Sequence, residues 1–222
     1  MGAAGTDAGT ARPVSYPLRV AILAYDSLVT DPGEELAPLI AERRPCLTPF
    51  PVEFARLAPE LNHGPVLTVV GVGEGDPVAG SLLVLTPGTS VETATRCLWR
   101  RVTQQIGSAK LPLGADRHRV RMIGGLAGLD VTLYWQAEAN YPRPEAAGLA
   151  RRAIESATGE AGRTRQDGIS YLAQVVAAGI RTRLTEGYVA ALLAATHTTS
   201  LEAAWAAVRQ GEPASVASPP AG

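Results

Sequence analysis

The stretch LRVAILAY at residues 18–25 decides the fold. After Arg19 the run is apolar, and its Val20 and Ile22 are β-branched, which is typical of a buried strand. Asp31, Pro32 and Gly33 follow shortly after it, and residues of these types favour turns. We therefore expect a central strand that leads into a loop carrying polar groups.

Further along the chain, two apolar runs at residues 66–72 and 78–85 flank the segment GEGDP at residues 73–77. Glycine, aspartate and proline accept the backbone angles of tight turns, and two strand-like runs on either side of such a segment predict a β-hairpin. A glycine-rich phosphate loop would need a helix after it. The hairpin interpretation is therefore favoured.

A change of period follows this region. Apolar residues recur at helical spacing over residues 91–105, with Ser90 in the position of an N-cap. Strand-like patterns return at residues 119–123 and 129–134. This mixed order predicts an α+β protein with a mixed, barrel-like sheet rather than regular βαβ repeats.

From about residue 144 onward the composition is helical and predicts a C-terminal helical annex. We expect one domain over residues 18–210, a disordered arm at 1–17 and a disordered tail at 211–222, because both ends have little to bury. The annex could alternatively present an apolar face to a protein partner. The helices are expected near residues 144–159, 169–179, 185–195 and 200–209.

Composition limits the classes of function. The 222 residues include 46% hydrophobic ones, enough for a sizeable core, and 20 basic residues nearly cancel 21 acidic ones. No basic stripe with interleaved aromatics occurs, so no nucleic-acid partner is expected. The apolar runs are shorter than the roughly 20 residues that cross a bilayer, so no membrane span is expected. A small-molecule partner fits best, and the oligomeric state stays open.

Cysteine and histidine usage points away from disulfide and metal chemistry. Two cysteines, Cys46 and Cys97, cannot make a disulfide framework without a secretory signal, and they fit a reducing cytoplasm. The three histidines, His63, His118 and His197, are too scattered for a local ligand set. We therefore expect no metal and no other cofactor.

Polar chemistry is concentrated where the first strand ends. Tyr25, Asp26, Ser27 and Leu28 place a phenol, a carboxylate and a hydroxyl in consecutive positions followed by an apolar residue. Loops held by a rigid scaffold are favoured places for binding. The alternative is that Asp26 and Ser27 only satisfy backbone N–H groups in a turn.

The segment around Tyr25 resembles the Tyr-Gly-Ser loop of the gamma-glutamylcyclotransferases, which also follows the first strand. Other stretches resemble successive blocks of a bacterial branch of that family. The blocks are TPFPVEFAR at residues 48–56, VAGSLLVL at 78–85, LWRR at 98–101, DGISYL at 167–172 and GIRT at 179–182. The resemblance implies a gamma-glutamylcyclotransferase-type fold with a small-molecule pocket beside the loop.

The resemblance also implies a reaction. In this family the N–H groups of the loop hold the substrate carboxylate, and a glutamate acts as general acid and base. The α-amine of the substrate attacks its own γ-carbonyl, which gives 5-oxoproline and a free amine. A carboxylate can carry a proton from the ammonium to the leaving amine, and fixed N–H donors stabilise anionic charge. We therefore expect an enzyme that cleaves a γ-glutamyl or related small-molecule amide.

Two residues depart from this pattern. The loop glycine is replaced by Asp26, and the position aligned with the catalytic glutamate is Val102. Asp26 is therefore the first candidate acid, and Glu53 is the second, although a pair between Glu53 and Arg56 or Arg100 would explain Glu53 equally well. The alternative function is a noncatalytic binding protein that has lost the catalytic glutamate.

Four further side chains are candidates for the pocket. Arg100 and Arg101 could recognise an anion, but adjacent helical residues point in different directions, so at most one of them should face the site. Tyr134 and Tyr141 could line a pocket wall, although core packing or surface cover is the more ordinary role of each ring.

Overall fold

The computed structural model describes residues 17–110 and 119–211, which form an α+β protein with a mixed sheet. Its strands are β1 Val20–Ala24, β2 Ile40–Leu47, β3 Val52–Ala58, β4 Gly64–Val69, β5 Ala79–Leu85, β6 Val120–Gly124 and β7 Val131–Trp135. Its helices are α1 Val91–Val102, α2 Ala146–Ser156, α3 Gly159–Arg163, α4 Gly168–Ala177, α5 Thr185–Thr196 and α6 Leu201–Gln210.

Strand β1 lies at the centre of a five-stranded sheet with the order β2-β5-β1-β7-β6. It pairs antiparallel with β5 and parallel with β7, so that Ile22 lies between Leu83 and Leu133. All five residues of β1 are buried, which confirms the predicted central strand. Because β1 and β7 run parallel, their C-terminal ends lie at the same edge of the sheet.

Helix α1 covers one face of this sheet. Leu98 on α1 belongs to the same buried cluster as Ile22 on β1. The Ser90 side chain accepts a hydrogen bond of 3.0 Å from the Thr93 N–H, as expected of an N-cap. The predicted helix and its cap are confirmed, although the helix ends at Val102 rather than at residue 105.

The predicted hairpin between residues 66–72 and 78–85 is wrong. Strand β4 pairs with β3 in a separate two-stranded ribbon, whereas β5 pairs with β1 and β2 in the large sheet. The glycine-rich segment instead packs against the start of β3, where a Cβ on Gly75 would lie 2.6 Å from the Val52 carbonyl oxygen. The residues of a turn are the same whether the flanking strands pair with each other or with different partners. Here β4 pairs with β3 and β5 pairs with β2, and the sequence predicted neither β2 nor β3.

The helical annex is confirmed as α2 to α6, although the sequence did not predict the short helix α3. The annex packs on the β3-β4 ribbon through a shared core in which the ring of Phe54 meets Tyr188 edge-on, with 5.2 Å between centroids. In residues 17–110 and 119–211, the five-stranded sheet is open, with β2 and β6 at its edges. A closed barrel is not seen in this part of the chain.

The predicted arm and tail lie outside the described residues, apart from Pro17 and Gly211. No helix in residues 17–110 and 119–211 has both the length and the apolar character needed to cross a membrane.

Candidate functional site

A cavity of about 700 Å³ lies where the parallel strands β1 and β7 end. The loop after β1 forms one wall, with Asp26, Ser27 and Leu28, and Trp135 at the end of β7 lies beside it. Further lining residues come from the ribbon β3-β4, the C-terminal end of α1, the segment between α3 and α4, and α4 itself. Three of the four residues predicted to bind substrate therefore open onto one cavity.

Tyr25, the fourth of these residues, anchors the loop from behind. Its buried phenol donates a hydrogen bond to the Trp135 carbonyl, and its ring meets Phe50 edge-on at 5.6 Å between centroids. Burial raises the pKa of the Tyr25 phenol well above its ordinary value, and the charge of Asp26 adds to the effect. A phenol that stays protonated keeps this hydrogen bond, so Tyr25 ties β1 to β7 instead of lining the cavity.

Asp26 begins a short 3-10 turn at Ser27–Val29 and is its N-cap. Its Oδ1 accepts a hydrogen bond of 2.9 Å from the Leu28 N–H. The carboxyl group is half-buried and faces the cavity. Burial raises its pKa above the ordinary value, while the Leu28 N–H and the charge of Arg101 oppose the rise. Both the turn role and the cavity position that the sequence left open are therefore present in one side chain.

Val102 lines the same cavity from the last residue of α1. The two positions that depart from the family pattern, Asp26 and Val102, are thus brought together by the fold. Arg101 also lines the cavity, whereas the neighbouring Arg100 turns away to pair with Glu35 at 3.0 Å. The expectation that at most one of the two arginines faces the site is confirmed.

Glu53 lies on β3 and is not among the residues that line the cavity. Its Oε1 accepts a hydrogen bond of 2.9 Å from the Phe54 N–H. Burial raises its pKa above the ordinary value, while the Thr182 hydroxyl and the charge of Arg183 are among the groups that oppose the rise. Its surroundings are therefore those of a buried carboxyl facing the segment before α5, and neither of the arginines suggested from the sequence is its neighbour.

The aromatic residue Tyr134 packs in the core, as the more ordinary of its two interpretations expects. Its ring stacks at a tilt against Phe50, with 4.7 Å between centroids. The ring therefore supports Phe50, which in turn supports Tyr25.

Sequence reasoning missed the contribution of α4 to the site. Tyr171 lines the cavity with its phenol almost wholly buried, and its hydroxyl accepts a hydrogen bond of 3.1 Å from the Leu67 N–H. Burial raises the pKa of this phenol well above its ordinary value, and the charge of Asp26 is the next cause. The block DGISYL contained this residue, but nothing in its spacing indicated that it lies opposite the loop after β1.

Arg56 is the second residue that the sequence did not assign to the cavity. It lies on β3, lines the cavity, and donates a hydrogen bond of 3.2 Å to the Glu138 carbonyl. An alternating strand pattern would have placed it on one face of the ribbon, but which face the cavity occupies depends on how the ribbon packs against α4.

The fold and the site together define a class of protein: an α+β protein whose mixed sheet carries a polar cavity beyond the ends of two parallel strands. The chain matches no protein-family model, no curated protein and no solved structure. Among the described residues, no group of three or more histidine, cysteine, aspartate or glutamate side chains could hold a metal ion. In residues 17–110 and 119–211, the lining of this cavity offers several carboxyl groups, the phenol of Tyr171 and three guanidinium groups.

Proposed function

We propose that the protein is a gamma-glutamylcyclotransferase-like enzyme that cleaves a γ-glutamyl or related small-molecule amide, with Asp26 as its acid and base. One observation carries the proposal. The carboxyl group of Asp26 faces a cavity of about 700 Å³, at the loop where the resemblance places the substrate. A cavity of this volume accommodates a small molecule.

The environment of Asp26 suits proton transfer. A general base is most effective when its pKa is close to the working pH, and burial moves the pKa of this carboxyl upward. The Leu28 N–H holds Oδ1 at 2.9 Å, which leaves Oδ2 available to a ligand. Asp26 thereby supplies from the loop the proton carrier that the family places on the helix.

The proposed reaction is an internal acyl transfer. Asp26 takes a proton from the substrate ammonium, and the freed amine nitrogen forms a bond to the γ-carbonyl carbon. The bond between that carbon and the amide nitrogen then breaks. The leaving nitrogen receives the proton held by Asp26 and the second proton that the attacking nitrogen loses as the lactam forms, so the amine departs as an ammonium ion. The products are 5-oxoproline and a free amine, and the reaction needs neither water nor an oxidant.

A specific observation favours the second candidate, a noncatalytic small-molecule-binding protein. Val102 faces the cavity at the position aligned with the family's glutamate, and valine transfers no proton. In addition, the Leu28 N–H already binds the carboxylate of Asp26, so it is occupied where the family would bind the carboxylate of a substrate. A protein that kept the cavity and lost the reaction would have this arrangement.

The test is to incubate the purified protein with a panel of γ-glutamyl amides and to measure 5-oxoproline and the released amine by mass spectrometry. The proposal expects both products in equal amounts from at least one member of the panel. If calorimetry detects binding but neither product forms, the noncatalytic candidate replaces the enzyme. If no member binds or reacts, both candidates are wrong.

A further inference from the structure

Among the described residues, three arginines line the cavity, and two of them are paired with carboxylates. Arg101 binds Asp31, with Nη2 at 3.0 Å from Oδ2. Arg165 binds Glu202, with Nη1 at 2.8 Å from Oε2, and also lies over a tryptophan ring. Their charges are therefore balanced within the protein.

Arg56 is the exception. In residues 17–110 and 119–211, no carboxylate oxygen comes within 4.0 Å of its guanidinium group. The side chain is half-buried on β3, and its hydrogen bond to the Glu138 carbonyl involves Nη1. Burial lowers the pKa of Arg56, and the neighbouring Arg119 contributes in the same direction, while the charges of Glu60 and Glu138 oppose it. A partly desolvated cation that faces a cavity without a close carboxylate favours an anionic ligand.

Asp26 presents the opposite charge to the same cavity. No arginine, lysine or histidine nitrogen among the described residues lies within 4.0 Å of its carboxylate. Arg101 influences it only from a longer distance, because that guanidinium binds Asp31. Asp26 and Arg56 thus present a half-buried anion and a half-buried cation to the cavity, and neither has an ion-pair partner in the part of the chain that the structure describes.

The loop has a limited ability to bind a second anion. The Leu28 N–H donates to Asp26 Oδ1 at 2.9 Å, so an incoming carboxylate would have to displace the side chain of Asp26. It would also approach a like charge, which raises its free energy. A carboxylate in the ligand is therefore better placed at Arg56 than at the loop.

We propose that the cavity binds a zwitterionic ligand with its ammonium group at Asp26 and its carboxylate at Arg56. This inference rests on the proposed function, in which the ligand is a γ-glutamyl amide that carries both groups on its α-carbon. It reverses the polarity that the resemblance implies for the loop, since the loop now binds the cation. A guanidinium group suits this role because its fork of N–H donors matches the two oxygens of a carboxylate.

The test uses three probes that differ by one charged group. The first is γ-glutamyl-n-butylamide, the second is glutaric acid mono-n-butylamide, which lacks the ammonium, and the third is 4-amino-N-butylbutanamide, which lacks the carboxylate. Dissociation constants are measured by calorimetry for the wild type, Arg56→Gln, Asp26→Asn and the surface control Arg121→Gln. Arg121 is exposed on β6 and does not line the cavity.

We expect Arg56→Gln to weaken the two probes that carry a carboxylate by roughly 10- to 100-fold, as for loss of a partner from a charged hydrogen bond. The carboxylate-free probe should bind this variant as it binds the wild type. Asp26→Asn should show the mirror pattern, with a loss confined to the two probes that carry an ammonium. Arg121→Gln should leave all three constants unchanged.

If Arg56→Gln weakens the binding of all three probes equally, Arg56 has a structural role and the inference is overturned. The inference is also overturned if Arg56→Gln weakens the binding of no probe, or if no probe binds the wild type. The proposed function is scored separately through release of 5-oxoproline. If Arg56→Gln still releases 5-oxoproline and still prefers the carboxylate-bearing probes as strongly as the wild type does, the inference is wrong and the proposed function stands. Selective binding without turnover supports the inference and defeats only the catalytic proposal.

Discussion

Two aspartates that line the cavity begin helical turns in the same way, yet their hydrogen bonding differs. Asp167 at the start of α4 is fully buried and accepts from the Ile169 N–H at 2.8 Å, the Ser170 N–H at 2.9 Å and the Ser170 hydroxyl at 2.7 Å. Asp26, which lines the cavity, accepts from the Leu28 N–H through Oδ1.

The difference separates a structural carboxylate from one available for chemistry. The hydrogen bonds of Asp167 fix the first turn of α4, the helix that carries Tyr171 at the cavity. Asp26 is less fully satisfied, and burial raises its pKa. A capping residue that binds its own turn through one oxygen can hold a loop and still exchange a proton through the other.

The substitution Asp26→Asn should lower kcat by on the order of 100-fold or more, as for loss of a general acid and base. Asparagine can still accept the hydrogen bond from the Leu28 N–H, so the melting temperature should change little. Initial rates of 5-oxoproline release and thermal melts measure the two effects. Unchanged kcat in a folded variant would reduce Asp26 to a turn residue and erase its contrast with Asp167.

The substitution Asp167→Ala should have the opposite profile. It removes the N-cap of α4 and leaves the Ile169 and Ser170 N–H groups without their acceptor, and we expect a loss of about 2 kcal/mol in the free energy of unfolding. Denaturant titration measures this loss. After correction for the fraction that remains folded, kcat should be nearly that of the wild type. A loss of kcat in the folded fraction would show that Asp167 takes part in the reaction.

The substitution Val102→Glu introduces a carboxylate on the helix side of the cavity. We expect about a 10-fold gain in 5-oxoproline release if the added group serves as a second proton carrier. Val102→Gln is the matched control, because it adds similar bulk without a titratable group. If neither Val102→Glu nor its combination with Asp26→Gly gains activity in a folded protein, the cavity does not support the family's chemistry.

The smallest effect concerns Glu53. Burial raises the pKa of Glu53 in the folded state. Its contribution to stability is therefore greatest at a pH below the pKa of the unfolded chain, and it falls as the pH rises through the raised pKa of the folded state. Glu53→Gln should remove this fall, by less than about 1 kcal/mol because neighbouring groups oppose the shift. Unfolding titrations across acidic to neutral pH measure the difference, and kcat should be unchanged. A loss of kcat would return Glu53 to the list of candidate acids.

Several elements could be predicted because their signals are local. The uninterrupted apolar run before Asp26 indicated β1, and Ser90 followed by helical spacing indicated α1. The hairpin could not be predicted correctly, because the same apolar runs and glycine-rich turn are compatible with pairing to β3 or to β1. Pairing depends on which strands the rest of the chain brings alongside, and this is not a local property.

The sequence by itself determined the central strand, the helical annex and the placement of a carboxylate where the strand ends. Those features follow from hydrophobic periodicity and from the conformational preferences of residues close together in the chain. Only the tertiary structure decided that Val102, Arg56 and Tyr171 share a cavity with Asp26, and that Glu53 does not. The reason is that these residues come from α1, β3 and α4, whose relative positions are set by packing between elements far apart in the sequence.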